Sequence, residues 1–209
     1  MSKDYYSIIR QGEYNLISKI NLDGSIIDLG GSSRSSYRAL IGGNHKIVSV
    51  NINPDCGCDL VFDLQKKFPI DDFSYDNAIC FNVLEHIFDF NNVFLETSRI
   101  LKSGGKFIIS TPFMHHIHAS PDDYFRYTKS ALVNILTKYG LTIETVTVIG
   151  YGPFSFIFQT LCGGIKPIIL RKFFKAIFIM IDKVLSVFKK YREISETIPL
   201  GYFIVARKN

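Results

Sequence analysis

Cysteine is scarce in this chain: four in 209 residues, at Cys56, Cys58, Cys80 and Cys162. Cys56 and Cys58 stand too close for a usual structural disulfide. No second cysteine pair or histidine follows at the spacing of a zinc site. Cys80 lies in a run with the character of a buried strand, where a thiol acts as a small hydrophobe. This usage excludes a disulfide scaffold and leads us to expect a reducing cytoplasm. An apolar leader is also lacking, since the chain begins MSKDYY, and export is not expected. There is no internal repeat and no low-complexity tract.

A clean membrane span is missing too. Residues 145–165 are 21 positions without a charge, yet Gly150, Gly152, Pro153, Gly163 and Gly164 interrupt them, and their start reads as a strand. Acidic residues thin out toward the C-terminus. Residues 151–209 hold ten Lys and Arg against three Asp and Glu, a net of +7, while residues 1–150 hold 14 against 16, a net of −2. A slightly acidic core argues against a nucleic-acid substrate, which favours a basic surface around its site.

What the chain does have is apolar bulk: 47% hydrophobic residues, with 18 Phe and 11 Tyr, enough for one substantial core. The most ordered pattern runs over residues 76–112. Residues 78–81 form a short apolar run suited to a buried parallel strand. Val93, Phe94, Ile100 and Leu101 then share one helical face, with Asn91 or Asn92 placed to cap its start and Gly104 placed to stop it. Residues 107–110 are a second buried-type strand, ended by Pro112. The result is a βαβ unit with a polar loop of Asn82, Glu85 and His86 at the end of its first strand, the place where open α/β sheets bind ligands.

Around it, residues 3–20 read as an amphipathic helix containing Tyr5, Ile8, Ile9, Leu16, Ile17 and Ile20, with a break expected at Gly12. Strands are expected at 25–28, 46–50, 141–148 and 202–206. Thr128 can cap a helix whose Leu132, Ile135, Leu136 and Tyr139 share a face, with Gly140 as its stop.

The phrase Asn82-Val83-Leu84-Glu85-His86-Ile87, then Glu96, Arg99-Ile100-Leu101-Lys102, Gly104-Gly105 and Thr111-Pro112 resembles the class I S-adenosylmethionine-dependent methyltransferases. The resemblance implies a doubly wound, Rossmann-like α/β sheet of about seven strands, the last antiparallel. It covers residues 25–150 and the last strand and implies S-adenosyl-L-methionine as cofactor; we expect one methyltransferase domain over residues 1–209, with 150–198 a helical insertion before the last strand that the resemblance leaves unexplained. The family's turn after the first strand is acidic-x-Gly-x-Gly-x-Gly. Here Asp28 and Gly30 match, Gly31 follows, and Ser32 and Arg34 stand where the second and third glycines would be. A nicotinamide fingerprint would need glycines at 30, 32 and 35 and has only the first. By position, Asn51 would meet the ribose, Asp63 with Leu64 the adenine, and Asn82 the near side of the cofactor. Without the family, Asn51 is a loop asparagine and Asp63 a turn residue.

A second phrase, with His118, Pro121, Asp123, Tyr124, Arg126, Tyr127 and Thr128 in order, resembles a segment of a methyltransferase subgroup common among saccharide-modifying proteins. His118 is placed to act as general base, with Asp123 orienting it and His86 as the other histidine near the site. Tyr124 and Arg126 would contact the acceptor; in the purely structural alternative, Asp123 and Arg126 pair with each other and fix the loop. His115, His116 and His118 lack a helical i, i+4 pattern, and no metal is expected. The expected activity is O-methylation of a saccharide or other small molecule. The rivals are a lipid or quinone methyltransferase, or a cofactor-binding protein with little activity, the last suggested by Ser32, Arg34 and Asn51.

Residues 167–191 read as one helix. Arg171, Lys172, Lys175, Asp182, Lys183, Ser186, Lys189 and Lys190 fall within one third of its wheel, beside a broad apolar face. That pattern suits an interfacial helix on anionic lipid, and hence peripheral membrane association of a cytoplasmic protein. It equally suits a helix packed on the domain or in a homodimer with its lysines in water.

Overall fold

The computed structural model describes residues 7–165 and 167–209; Tyr5 of the expected first helix lies outside the described residues. Among the described residues seven strands form one sheet: β1 Gly24–Leu29, β2 His45–Asn51, β3 Leu60–Val61, β4 Tyr75–Phe81, β5 Leu101–Pro112, β6 Leu141–Ile149 and β7 Gly201–Lys208. Their order is β3-β2-β1-β4-β5-β7-β6. The pairs from β3 through β5 are parallel, and β7 runs antiparallel to both β5 and β6. The helices are α1 Ile8–Ile17, α2 Phe90–Ile100, α3 Lys129–Lys138, α4 Pro153–Leu161, α5 Ile168–Leu185 and α6 Lys189–Thr197. The break expected at Gly12 does not occur, since Gly12 lies inside α1.

Alternation along the strands divides the core in two, as a period of two requires. Ile27, Leu29, Ala78, Cys80, Phe107, Ile109, Ile204 and Ala206 meet Val93 and Phe94 of α2 and Leu132 and Leu136 of α3. Their neighbours Ile26, Ile79, Phe81, Ile108, Phe203 and Val205 meet Ile8, Ile9 and Ile17 of α1 and Phe158 of α4 on the other side. Phe174, Phe178 and Ile179 of α5 close the outer edge of that second cluster. The expected insertion is therefore part of one wall of the sheet.

The start of α3 is as expected. Thr128 Oγ1 accepts from the Ala131 amide at 3.2 Å, and Gly140 follows at φ +75°. For α2 the sequence assignment was off. Asp89 holds the N-cap position, and Asn91 and Asn92 lie inside the helix. Their side chains serve tertiary contacts instead: Asn92 donates to the Leu64 and Lys66 carbonyls at 2.8 and 2.7 Å, and Asn91 accepts from Tyr139. Nor does Gly104 stop α2. The helix ends at Ile100 because Leu101 is already extended and paired with Tyr75, and Gly104 bends the strand that follows.

The expected helix over 167–191 is two. α5 ends at Leu185, and α6 starts at Lys189. Asp182, assigned by the wheel to a water-facing polar arc, is completely buried. Its carboxylate accepts from the Phe154 and Ser155 amides at 3.0 and 2.6 Å, and from the hydroxyls of Ser155 and Tyr191. α4 begins after Gly152, which has no side chain to cap it, so α5 supplies the acceptor its first amides need. With Asp182 turned inward, Ile169, Phe173, Met180 and Val184 project outward, each more than half exposed. Lys172, Lys175 and Lys183 line a groove of about 500 Å³ with Gln11 of α1.

Asp182→Ala should strand several buried donors and lower stability by about 1–3 kcal/mol. Hydrogen exchange should quicken in α4 and α5 and stay slow in β1, β4 and β5. Unchanged exchange in α4 would show that the carboxylate does not hold it.

Candidate functional site

β1 lies between β2 and β4, so the chain's winding reverses between β1 and β4, and their carboxyl ends open a crevice. The Gly30 amide donates to the Val50 carbonyl at 2.8 Å, turning the chain sharply after β1. Gly30 has φ +80°, and a Cβ there would stand 2.3 Å from Val83, so the approach of the Asn82 loop demands glycine. Ser32 and Arg34, at the family's other glycine positions, hold the turn by another route. The Ser32 amide donates to Ser35 Oγ at 3.1 Å, its Oγ accepts from the Arg34 amide at 3.3 Å, and its carbonyl accepts from Arg38. Asn51 donates to the Gly30 and Gly31 carbonyls at 3.0 and 3.3 Å, and its Oδ1 accepts from the Asn53 amide. Its amide thus ties β2 to the turn, and Oδ1 keeps one lone pair. Asp63 Oδ1 caps the Gln65 amide at 2.9 Å, while Leu64 is buried in the core.

Two buried carboxylates flank this crevice. Asp28 accepts both bonds from the Tyr37 hydroxyl, at 2.8 and 3.0 Å. Burial pushes its pKa up to about 7, against the pull of Tyr37 and Arg38. Glu13, on α1, accepts from Asn82 Nδ2 at 2.8 Å, and burial raises it to about 7 as well. Asn82 itself holds a left-handed φ of 55° at the end of β4. Sequence reasoning missed Glu13. The signal was its spacing: it falls midway between Ile9 and Ile17 on the buried stripe of α1.

The loop over residues 113–128 is fastened to the Asn82 loop. The Tyr124 amide donates to the Glu85 carbonyl at 2.7 Å, and the Tyr127 hydroxyl to the Leu84 carbonyl at 3.1 Å. His86 Nδ1 lies 2.6 Å from the Asp122 carbonyl. This brings Glu85, His86, His118 and Asp123 together. Asp123 Oδ2 accepts from the His118 amide at 2.8 Å and stands 3.3 Å from its Nδ1. Burial holds the His118 pKa below its usual value, with Asp123 opposing. Arg126 grips Asp123 in two bonds and also donates to the Phe125 and His116 carbonyls, so its terminal N–H groups are taken within the loop. That pairing pulls the Asp123 carboxyl well below the usual range. Tyr124 is exposed and donates to Asp122. Glu85 is buried, and burial raises its pKa to about 8. A cavity of about 310 Å³ adjoins the loop, lined by Phe113, Met114, His115 and His116 with Phe156, Gln159 and Thr160 of α4. Those α4 residues carry no motif and were not legible in the sequence.

Because the folded state holds the Glu13 proton more firmly than the unfolded chain, this group favours folding at low pH. That contribution is lost as pH rises from about 4.5 to about 7. Glu13→Gln keeps the Asn82 bond and removes the charge. It should raise stability at pH 8 by roughly 1–3 kcal/mol and little at pH 4, measured by urea unfolding. An equal effect at both values would place Glu13 outside this linkage.

No curated protein matches the chain in sequence. Residues 30–109 match the family model described as a methyltransferase domain. An S-adenosylmethionine-dependent methyltransferase from Mesorhizobium loti superposes with TM-score 0.59 at 15% identity, over 99% of this chain and 100% of that one. Geranyl diphosphate C-methyltransferase from Streptomyces coelicolor gives 0.60 at 13%, over 94% and 75%. The cyclase SpnF gives 0.60 at 18%, over 94% and 79%. With the matched domain spanning the glycine turn, the Asn82 loop and most of β5, the chain has the fold of the class I S-adenosylmethionine-dependent methyltransferases.

Proposed function

We propose that this protein transfers a methyl group from S-adenosylmethionine to a hydroxyl of a saccharide or other small molecule. One observation carries the reading: the glycine turn and the His118–Asp123 loop both meet the Asn82–His86 segment at the end of β4. The crevice suits a cationic cofactor, because Asp28 and Glu13 are buried carboxylates hydrogen-bonded by neutral groups. Bound there, the cofactor supplies a strongly electrophilic methyl on a sulfonium. Asn51 Oδ1 and Asp63 Oδ2 offer acceptors for its ribose and adenine, and Ser32 borders the turn. On the other side His118 Nε2 takes the acceptor's proton, while the His116 carbonyl accepts from Nδ1 and Asp123 holds the residue by its backbone amide beside Nδ1. Arg126 acts on the acceptor only through Asp123.

The rival reading, cofactor binding with little turnover, draws on Ser32, Arg34 and the tethered Asn51. Calorimetric titration with S-adenosylmethionine, then release of S-adenosylhomocysteine over a panel of saccharides, lipid-linked saccharides and quinols, decides between them. His118→Ala and Asp123→Asn should lower kcat about 10²-fold and leave cofactor affinity within twofold. Binding with no turnover on any acceptor would favour the rival, and no binding would end both.

The exposed Ile169, Phe173, Met180 and Val184, edged by Lys172 and Lys183, further support attachment to an anionic membrane surface. No helix among the described residues is long and apolar enough to cross a membrane. A lipid-linked acceptor fits such attachment. Co-sedimentation should be salt-sensitive with anionic vesicles, weak with neutral ones, and lost in Phe173→Glu with Lys183→Glu. Wild type that stays in the supernatant with anionic vesicles would remove this part of the reading.

A further inference from the structure

Glu85, His86 and His118 converge beside β4 with no hydrogen bond among them. The Glu85 side chain has no solvent exposure, and neither of its oxygens has a hydrogen-bond partner. Nε2 of His86 stands 3.7 Å from Glu85 Oε1, and Nε2 of His118 stands 3.8 Å from the same atom. The tautomers follow from the opposite edges of the rings. His86 Nδ1 lies 2.6 Å from the Asp122 carbonyl, which can only accept, so Nδ1 carries the hydrogen. His118 Nδ1 faces the His116 carbonyl at 3.2 Å and Asp123 Oδ2 at 3.3 Å, again both acceptors. With Nδ1 as donor, each ring therefore turns its Nε2 toward the Glu85 side chain. Such a group is unfavourable until a cation sits among its members.

A proton answers this poorly. It can serve one of the two gaps, and both are too long for a hydrogen bond. A metal ion answers it well. At bond lengths of about 2.0–2.2 Å, neighbouring ligand atoms stand about 3–3.5 Å apart. The three candidate atoms lie within 4.8 Å of one another, and small ring rotations close the difference. The outer contacts also match those of metal-binding histidines, whose second nitrogen donates to a carbonyl or carboxylate. We propose that Glu85, His86 and His118 bind one divalent transition-metal ion. Two imidazoles and a carboxylate favour zinc, manganese, iron(II) or cobalt over magnesium or calcium. The sequence alone gave no such site. Of its three clustered histidines only His118 takes part, and its partners come from a different loop.

The ion's consequence for chemistry rests on the methyl-transfer reading above. Three protein ligands leave positions open beside the acceptor loop. An acceptor hydroxyl bound there loses its proton to water more readily, and His118 then serves as ligand instead of base. The acceptor class this selects is one that offers a metal-binding oxygen, such as a vicinal diol or a hydroxyl beside a carboxylate.

The test uses the full chain, stripped with a chelator and titrated calorimetrically with Zn²⁺, Mn²⁺ and Co²⁺. One ion per chain should bind in the micromolar range or tighter, and Co²⁺ should develop visible absorption that reports its coordination. Glu85→Gln, His86→Ala and His118→Ala should each weaken binding at least tenfold. Asp123→Asn, which meets His118 at its backbone amide and Nδ1 but not at Nε2, should weaken it less. Wild type that binds no ion below about 100 μM, or a Glu85→Gln protein that binds as wild type does, overturns the site. Titration of the stripped protein with S-adenosylmethionine separates this from the reading above. Cofactor binding and turnover without an ion would overturn the ion's part in the reaction and leave His118 as base. Ion binding without cofactor binding would uphold the site and end the methyltransferase reading.

Discussion

The constraint on which this structure depends is that both faces of a parallel sheet must be covered. Ile26 and Ile27, Ala78 and Ile79, Phe107 and Ile108 alternate between two walls and are all fully buried. On one face α2 and α3 meet the demand. On the other, the connections from β1 through β4 contain only short 3₁₀ turns at Ser36–Leu40 and Pro54–Cys56. Something else must close that wall, and it is assembled from the two ends of the chain. α1 comes from before the sheet and α4 with α5 from just before its last strand. Gln159 of α4 even accepts from the Ile8 amide at the start of α1, at 3.3 Å. The hydrophobic insertion is thus explained by the sheet before any partner is invoked.

Closing the wall in this way buries acidic side chains near the carboxyl edge of the sheet. Glu13 arrives with α1, Asp28 ends β1, and Glu85 follows β4; each has its pKa raised chiefly by burial. Three buried acids along one edge cost stability when ionised, and positive charge at that edge offsets it. A sulfonium cofactor on the Asp28 and Glu13 side, and a metal ion on the Glu85 side, are two separate ways to offset the cost.

What was legible in the sequence was whatever depends on neighbours along the chain. Apolar runs marked the strands, Thr128 marked the start of α3, and the ordered phrases around Glu85 and Asp123 marked the two loops that prove to be joined. What was illegible depends on contacts across the fold. Asn91 and Asn92 look like caps, but Asn92 is drawn to the carbonyls of Leu64 and Lys66, and Asp89 takes the cap position. Glu85 and His86 were visible as a polar pair, yet only the return of the 113–128 loop sets His118 beside them. Asn51 could be placed at the end of β2 by pattern, but its bonds to the Gly30 and Gly31 carbonyls arise from the pairing of β2 with β1.

The helical wheel of α5 shows the same limit most sharply. A wheel gives the angle between an apolar arc and a charged one, but not which arc turns inward. Hydrophobicity alone would turn the apolar arc to the sheet and leave Asp182 in water. Yet Asp182 supplies the acceptor that the first amides of α4 need, and Tyr191 leans on the same carboxylate from α6. Placing Asp182 there puts Phe174 and Phe178 against the second wall. It leaves Ile169, Phe173, Met180 and Val184, roughly half a turn away around the helix, facing out. One buried carboxylate therefore fixes the rotation of an 18-residue helix. The exposed apolar stripe follows from the need to cap α4.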